Sequence, residues 1–136
     1  MFLPEGLTSV GRNWFAGSRV TKVHIPASVA ELDDYAFAWC AQLSEVVFEK
    51  GSALRRMGEG CFYDSGVKQI VIPQGVEELG GKAFMNCNEL WTVDFAEGLE
   101  AIGSSCFERS SIREIFFPDS LKIIGDRAFY GCSRLQ

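Results

Sequence analysis

Apolar residues recur along the 136-residue chain in one fixed order. Each unit opens on an apolar position, at Leu7, Val29, Leu54, Val76, Leu99 and Leu121, and a second follows three residues on, at Val10, Leu32, Met57, Leu79, Ile102 and Ile124. Gly11, Asp33, Gly58, Gly80, Gly103 or Gly125 comes next, and four residues beyond it stands a phenylalanine. These six, Phe15, Phe37, Phe62, Phe84, Phe107 and Phe129, are 22, 25, 22, 23 and 22 residues apart. Ala, Cys or Trp precedes each one. All four prolines, Pro4, Pro26, Pro73 and Pro118, lie three residues before a unit opening. About six repeats of 22–25 residues, each too small to bury its own apolar face, are the signature of a solenoid.

Within each unit the pairs Val23/Ile25, Val46/Phe48, Ile70/Ile72, Val93/Phe95 and Ile115/Phe117 sit two residues apart, the period of a half-buried strand. Strands are therefore predicted over 21–25, 44–48, 68–72, 91–95 and 113–117, stacked into one parallel sheet. A proline after the strand donates no hydrogen bond and suits the point where pairing stops. The glycine column suits a tight backbone turn, and Asp33 is a tolerated replacement there. The Ala-Phe pair sets a small side chain against the backbone and a large one in the core. The span around it, such as 126–131, leaves room for one or two helical turns.

The units also alternate. Ser18, Ser65 or Ser110 is followed two residues later by Val20, Val67 or Ile112, whereas Cys40, Cys87 or Cys132 is followed three residues later by Leu43, Leu90 or Leu135. A two-unit superperiod of 45–47 residues implies that pairs of units were duplicated.

The segments 121–135, LKIIGDRAFYGCSRL, and 67–73, VKQIVIP, resemble the leucine-rich repeats of the BspA type, also called the Treponema pallidum type. The resemblance covers essentially the whole chain. It implies an α/β solenoid: a right-handed superhelix with a parallel β-sheet and short helical or 3-10 turns. Residues 1–136 then form a single solenoid. Residues 1–4 match the close of a preceding strand, and Gln136 falls where a next strand would begin, so the sequence is expected to be a fragment of a longer array. Uncapped repeats would permit end-to-end stacking.

Apolar residues make up 47% of the chain and charged residues 23%, a globular balance. Thirteen Lys and Arg against eighteen Asp and Glu, a net charge of −5 with no basic run, argue against a nucleic-acid or anionic-membrane partner. No apolar run approaches the roughly 20 residues that span a bilayer, and the N-terminus lacks the basic-then-apolar pattern of a signal peptide.

Five cysteines raise the question of a disulfide or a metal. Cys40, Cys87 and Cys132 share one column two units apart, about 10 Å, and Cys61 and Cys106 are related in the same way in another. A disulfide needs Cα atoms within about 7 Å, so same-column bridges are excluded. There is no Cys-x-x-Cys, and a single histidine, His24, cannot complete a zinc site of the usual spacing. Reduced, buried structural thiols are expected. One histidine also removes most general-base schemes, and Gly80-Gly81-Lys82 lacks the spacing of a phosphate loop. No catalytic residue, metal or cofactor site is assigned, and the protein is not expected to be an enzyme.

The positions freed from packing are the candidates for function. Phe2, His24, Val47, Val71, Asp94 and Phe116 form one outward column of the predicted sheet, and Trp91 belongs to another. Val47, Val71, Trp91 and Phe116, with His24, are more apolar than solvation of a strand face requires, and apolar patches with aromatics mark interaction sites. A protein partner on the exposed sheet face is the expected function. Proteins of the resembling family often sit on microbial or protist surfaces and adhere to host proteins or other cells, which implies a cell-surface or secreted adhesion module. The alternative is a cytoplasmic scaffold or docking module in a larger assembly, which free thiols and the absence of a glycosylation sequon fit equally well.

Overall fold

A computed structural model describes all residues 1–136. Ten strands appear in chain order: β1 (Ser9–Val10), β2 (Lys22–Ile25), β3 (Glu31–Leu32), β4 (Glu45–Phe48), β5 (Arg56–Met57), β6 (Gln69–Ile72), β7 (Glu78–Leu79), β8 (Thr92–Phe95), β9 (Ala101–Ile102) and β10 (Ile123–Ile124). They form two parallel sheets. Four-residue strands stack as β2-β4-β6-β8, and two-residue strands stack as β1-β3-β5-β7-β9-β10. Each of the first four repeats thus runs through a short strand, a run of turns and a longer strand, closing around a core. Phe2 extends the longer-strand sheet by an isolated parallel bridge to His24.

Four of the five predicted strands form, each one residue shorter at its start. The fifth does not. Over 113–117 the main chain makes only two bonds to its neighbours, both at Arg113: its N–H reaches the carbonyl of Trp91, just before β8, at 3.4 Å, and its carbonyl accepts from Gln136 N–H at 3.0 Å. The second sheet was not anticipated, because a two-residue strand carries no alternation to read. Its inward residues are the second apolar column: Val10, Leu32, Met57, Leu79 and Ile102 are all buried.

The expected helical turns are absent, and the assignment to an α/β class is corrected accordingly: the elements are all strands. The main-chain hydrogen bonds give the reason. In the unit of Phe37, Tyr35 N–H donates to Glu59 O, Phe37 N–H to Cys61 O and Trp39 N–H to Tyr63 O, all in the next unit. The intervening Ala36 and Ala38 N–H groups close four-residue turns onto Asp33 O and Tyr35 O. The units of Phe15, Phe62, Phe84 and Phe107 follow the same alternation. An α-helix needs consecutive N–H groups directed four residues back. Here every second one is committed to the neighbouring repeat, so a ribbon of turns forms instead.

The glycine column is explained differently from the expectation. Positive φ occurs two residues before and two after the phenylalanine, as at Tyr35 (57°) and Trp39 (58°), Lys82 (59°) and Asn86 (61°), or Ser105 (59°) and Arg109 (60°). Gly58, Gly80, Gly103 and Gly125 have ordinary backbone angles. What they supply is closeness. A Cβ at Gly80 would lie 2.5 Å from the Gly58 carbonyl carbon, and one at Gly103 would lie 2.5 Å from Gly81 N.

Between the sheets the six phenylalanines stack into one column. Successive ring centroids are 5.2, 5.4, 5.5, 5.3 and 5.4 Å apart, with planes within 9° of parallel. Phe37, Phe62, Phe84 and Phe107 are fully buried. The cysteines flank this column, and all five are free. Cys40 Sγ–H donates to Phe15 O at 3.0 Å, Cys87 to Phe62 O at 3.1 Å and Cys132 to Phe107 O at 3.0 Å. Ser18, Ser65 and Ser110 lie 3.4–3.5 Å from the same three sulfurs. The alternation of serine and cysteine units is therefore a contact: each serine unit pairs with the cysteine unit that follows it.

Two outcomes test this core. Phe84→Ala, which opens a void inside the column, should lower stability by about 3–5 kcal/mol in denaturant titration. Burial also pushes the thiol of Cys87 up from the ordinary 9.0 to about 11 and raises those of Cys61 and Cys106. A group whose folded pKa exceeds its unfolded value stabilises fully below the unfolded value and loses that contribution as pH rises through the folded one. Stability should therefore fall above pH 9, by about 1.4 kcal/mol per pH unit for each thiol, and for Cys87 the loss should level off near pH 11. Denaturant midpoints from pH 7 to 11, compared with a Cys87→Ala variant, check it.

Candidate functional site

The outward face of the four-stranded sheet depends on register. β2 pairs with β4 over four residues, Lys22↔Glu45 to Ile25↔Phe48, and β6 pairs with β8 over four, Gln69↔Thr92 to Ile72↔Phe95. Between β4 and β6 a single pair survives, Glu45↔Gln69. The cause lies in repeat length. Five residues, 49–53, separate the end of β4 from the next unit opening, where three follow β2, β6 and β8. The two strands part beyond Glu45 and Gln69, leaving a groove of about 840 Å³ between Val47 on one bank and Val71 on the other. The loops bearing Ser52 and Gln74 close its far end. That volume lies within the range of sites that hold small ligands or short peptide segments.

The groove is acidic. Glu45, Glu49 and Asp94 line it, and no lysine or arginine does. Lys22 Nζ reaches Glu45 Oε2 at 2.5 Å from the adjacent strand, and His24 Nδ1 lies 3.6 Å from Glu49 Oε1. Asp94 has no ion-pair partner; it stands beside Val71 in register.

Of the five candidate residues, the structure brings two together. Val47 is half-buried and Val71 is 60% exposed, and they form the opposing banks of the groove. His24 is instead covered by Phe2, whose ring stacks on it with centroids 4.0 Å apart and planes within 6°. Trp91, 44% exposed, immediately precedes β8, and Phe116, 76% exposed, lies in the segment that forms no strand; neither lines the groove. Sequence reasoning missed Glu49 and Asp94 as groove residues. The available signal was the 25-residue spacing from Val29 to Leu54, the longest in the array.

A second feature lies on the ribbon of turns. Tyr35 and Trp39 stack with centroids 5.7 Å apart, and Tyr63 meets both edge-on at 6.3 and 5.7 Å. Trp39 is 47% exposed. Both Tyr35 and Trp39 have left-handed backbone angles, where a bulky side chain costs about 1–2 kcal/mol, so this aromatic surface is held against local preference. Nowhere do three His, Cys, Asp or Glu side chains converge as metal ligands would. No buried side-chain polar atom lacks a hydrogen-bond partner.

Comparison with known proteins agrees with this architecture. The BspA type leucine-rich repeat region matches residues 8–136 in six copies. No curated protein sequence matches the chain significantly. Among solved structures, the chain is similar to the pneumococcal vaccine antigen PcpA, with a TM-score of 0.87 and 22% identity over 96% of this chain and 37% of that one. It is also similar to a leucine-rich cell surface protein from Faecalibacterium prausnitzii, with a TM-score of 0.72 and 21% identity over 99% of this chain and 45% of that one. The leucine-rich repeat protein of T. pallidum superposes with a TM-score of 0.68 and 24% identity, over 99% of this chain and 77% of that one. The chain thus spans less than half the length of the first two.

Because Val71, Trp91 and Phe116 stand outside the core, replacing them opens no cavity. Val71→Ser, Trp91→Ala and Phe116→Ala should each change stability by less than about 1 kcal/mol in thermal or denaturant unfolding.

Proposed function

The chain belongs to the BspA-type leucine-rich repeat family, and from that premise we propose that it is a non-enzymatic protein-binding module whose partner lies on the outward face of the four-stranded sheet. The observation that carries this reading is the break in sheet register between β4 and β6, which opens a groove with exposed Val71 on one bank; Trp91 and Phe116 are exposed outside it. Leucine-rich repeat proteins typically bind other proteins. A solenoid also presents its sheet as a continuous surface in which a few large side chains can dominate affinity.

The finer role is adhesion at a cell surface or binding of a host protein. It draws support from two similar folds, one a vaccine antigen of pneumococcus and the other described as a cell surface protein of F. prausnitzii. A second reading, an intracellular docking or scaffold module, is favoured by five free thiols, four of them fully buried. Surface biotinylation of intact source cells separates the two: the protein is labelled in the first and protected in the second.

The sheet-face reading has its own test, made with a partner captured on the immobilised chain and then purified. The Trp91→Ala/Phe116→Ala pair should weaken binding by about 2 kcal/mol or more, roughly 30-fold in Kd, at unchanged melting temperature. Trp39→Ala, on the ribbon of turns, should leave binding intact. The reverse pattern would move the site to the turns.

A further inference from the structure

We infer that the groove between β4 and β6 takes an extended segment of a partner protein carrying lysine or arginine alternately with apolar residues. This names the partner chemistry of the sheet-face reading and rests on it. The argument begins with the break in pairing. A parallel sheet in register has its strands about 4.8 Å apart and offers no depth between them. Past Glu45 and Gln69 that contact is lost, and a trough runs along the strands, bounded by Val47 and Val71 and ending at the loops of Ser52 and Gln74. A trough parallel to strands suits an extended chain. Such a chain advances about 3.3 Å per residue and turns every second side chain toward the same face.

Charge then decides which chain fits. The groove carries Glu45, Glu49 and Asp94 and no basic side chain of its own. Lys22, on the adjacent strand, is already engaged with Glu45. Glu49 faces only the His24 ring, and Asp94 faces no cation. An incoming acidic segment would meet three like charges. A basic one would find two carboxylates without a lysine or arginine partner, beside two valines that offer apolar contact. In a segment of the form basic-x-apolar-x-basic, the central apolar residue rests between Val47 and Val71. One flanking cation reaches Glu49, two residues past Val47, and the long side chain of the other reaches across β6 toward Asp94, which is level with Val71. Electrostatic complementarity of this kind discriminates strongly between partners of opposite sign.

The experiment titrates the labelled chain with three blocked pentapeptides, Lys-Ser-Val-Ser-Lys, Gln-Ser-Val-Ser-Gln and Glu-Ser-Val-Ser-Glu, followed by amide chemical shifts. The lysine peptide should perturb Val47, Glu49, Val71 and Asp94. Its Kd should rise about tenfold in the Glu49→Gln/Asp94→Asn variant, and again in about 0.5 M sodium chloride, where the Debye length falls to a few ångströms. The glutamate peptide should leave these amides unmoved. Equal binding of the lysine and glutamate peptides overturns the inference, as does the absence of shifts in the groove at millimolar lysine peptide. Binding of the glutamine peptide as tight as the lysine one, and lost in Val71→Ser, overturns the charge argument while leaving the sheet face as a binding surface.

Discussion

The structure depends on how the main chain of each turn divides its hydrogen bonds. Along the run from two residues before each phenylalanine to three after it, alternate N–H groups close a turn within the repeat and cross to the carbonyls of the next one. A buried amide without a partner costs on the order of a few kcal/mol, so the crossing bonds force adjacent repeats into direct contact. The rest follows from that closeness. Glycine stands where one repeat's backbone rests on the next in every unit but that of Asp33, and a left-handed residue is needed on each side of the phenylalanine so that the ribbon can keep folding back. The phenylalanine rings, carried at the repeat spacing, then have little choice but to stack face to face.

The same logic separates what is constant along the array from what varies. Repeats that interact only with their neighbours tolerate a change in one unit if the contacts at its two interfaces survive. The unit opening at Val29 shows how far this goes. Its turn ribbon is in full register, with Tyr35, Phe37 and Trp39 bonded forward to Glu59, Cys61 and Tyr63, and β3 pairs normally with β5. The extra length is spent after β4, at 49–53, and only the four-stranded sheet feels it. The Ser65–Cys87 contact and the thiol bond to Phe62 O lock the next pair of repeats, so the disturbance does not reach β6 and β8.

This also explains what could be read from the residues alone. The strands at 22–25, 45–48, 69–72 and 92–95 were legible because alternation such as Ile70-Val71-Ile72 has one inward and one outward face. The stack of phenylalanines was legible because a large apolar residue at a fixed period has only the core to occupy. The second sheet was not, since Ser9–Val10 or Glu78–Leu79 is too short for a pattern. The left-handed positions were hidden for another reason. Asn13, Tyr35, Lys82, Ser105 and Arg127 share one backbone conformation with no chemical feature in common; the neighbouring repeat imposes it through hydrogen bonds. At the site, Val47 and Val71 were found as outward apolar residues. Their separation into opposing banks depended on a loop length rather than on either side chain.

In an array this regular, the capacity to recognise anything must come from departures from regularity. Identical repeats would present identical columns, and a partner could slide along them with no preferred register. Two departures break that equivalence here. One is the parting of β4 from β6, which creates a single groove with its own charge. The other is the cluster of Tyr35, Trp39 and Tyr63, in which Tyr35 and Trp39 occupy positions held by small or polar residues such as Asn13, Gly17, Ser105 and Gly131 in other repeats. Both depart in the unit that opens at Val29 or against its neighbour. The core of that unit is as tightly buried as any other, with Phe37 and Leu43 fully enclosed. Its stability is therefore supplied by the shared pattern, and its individuality lies wholly in side chains and a loop that the pattern does not constrain.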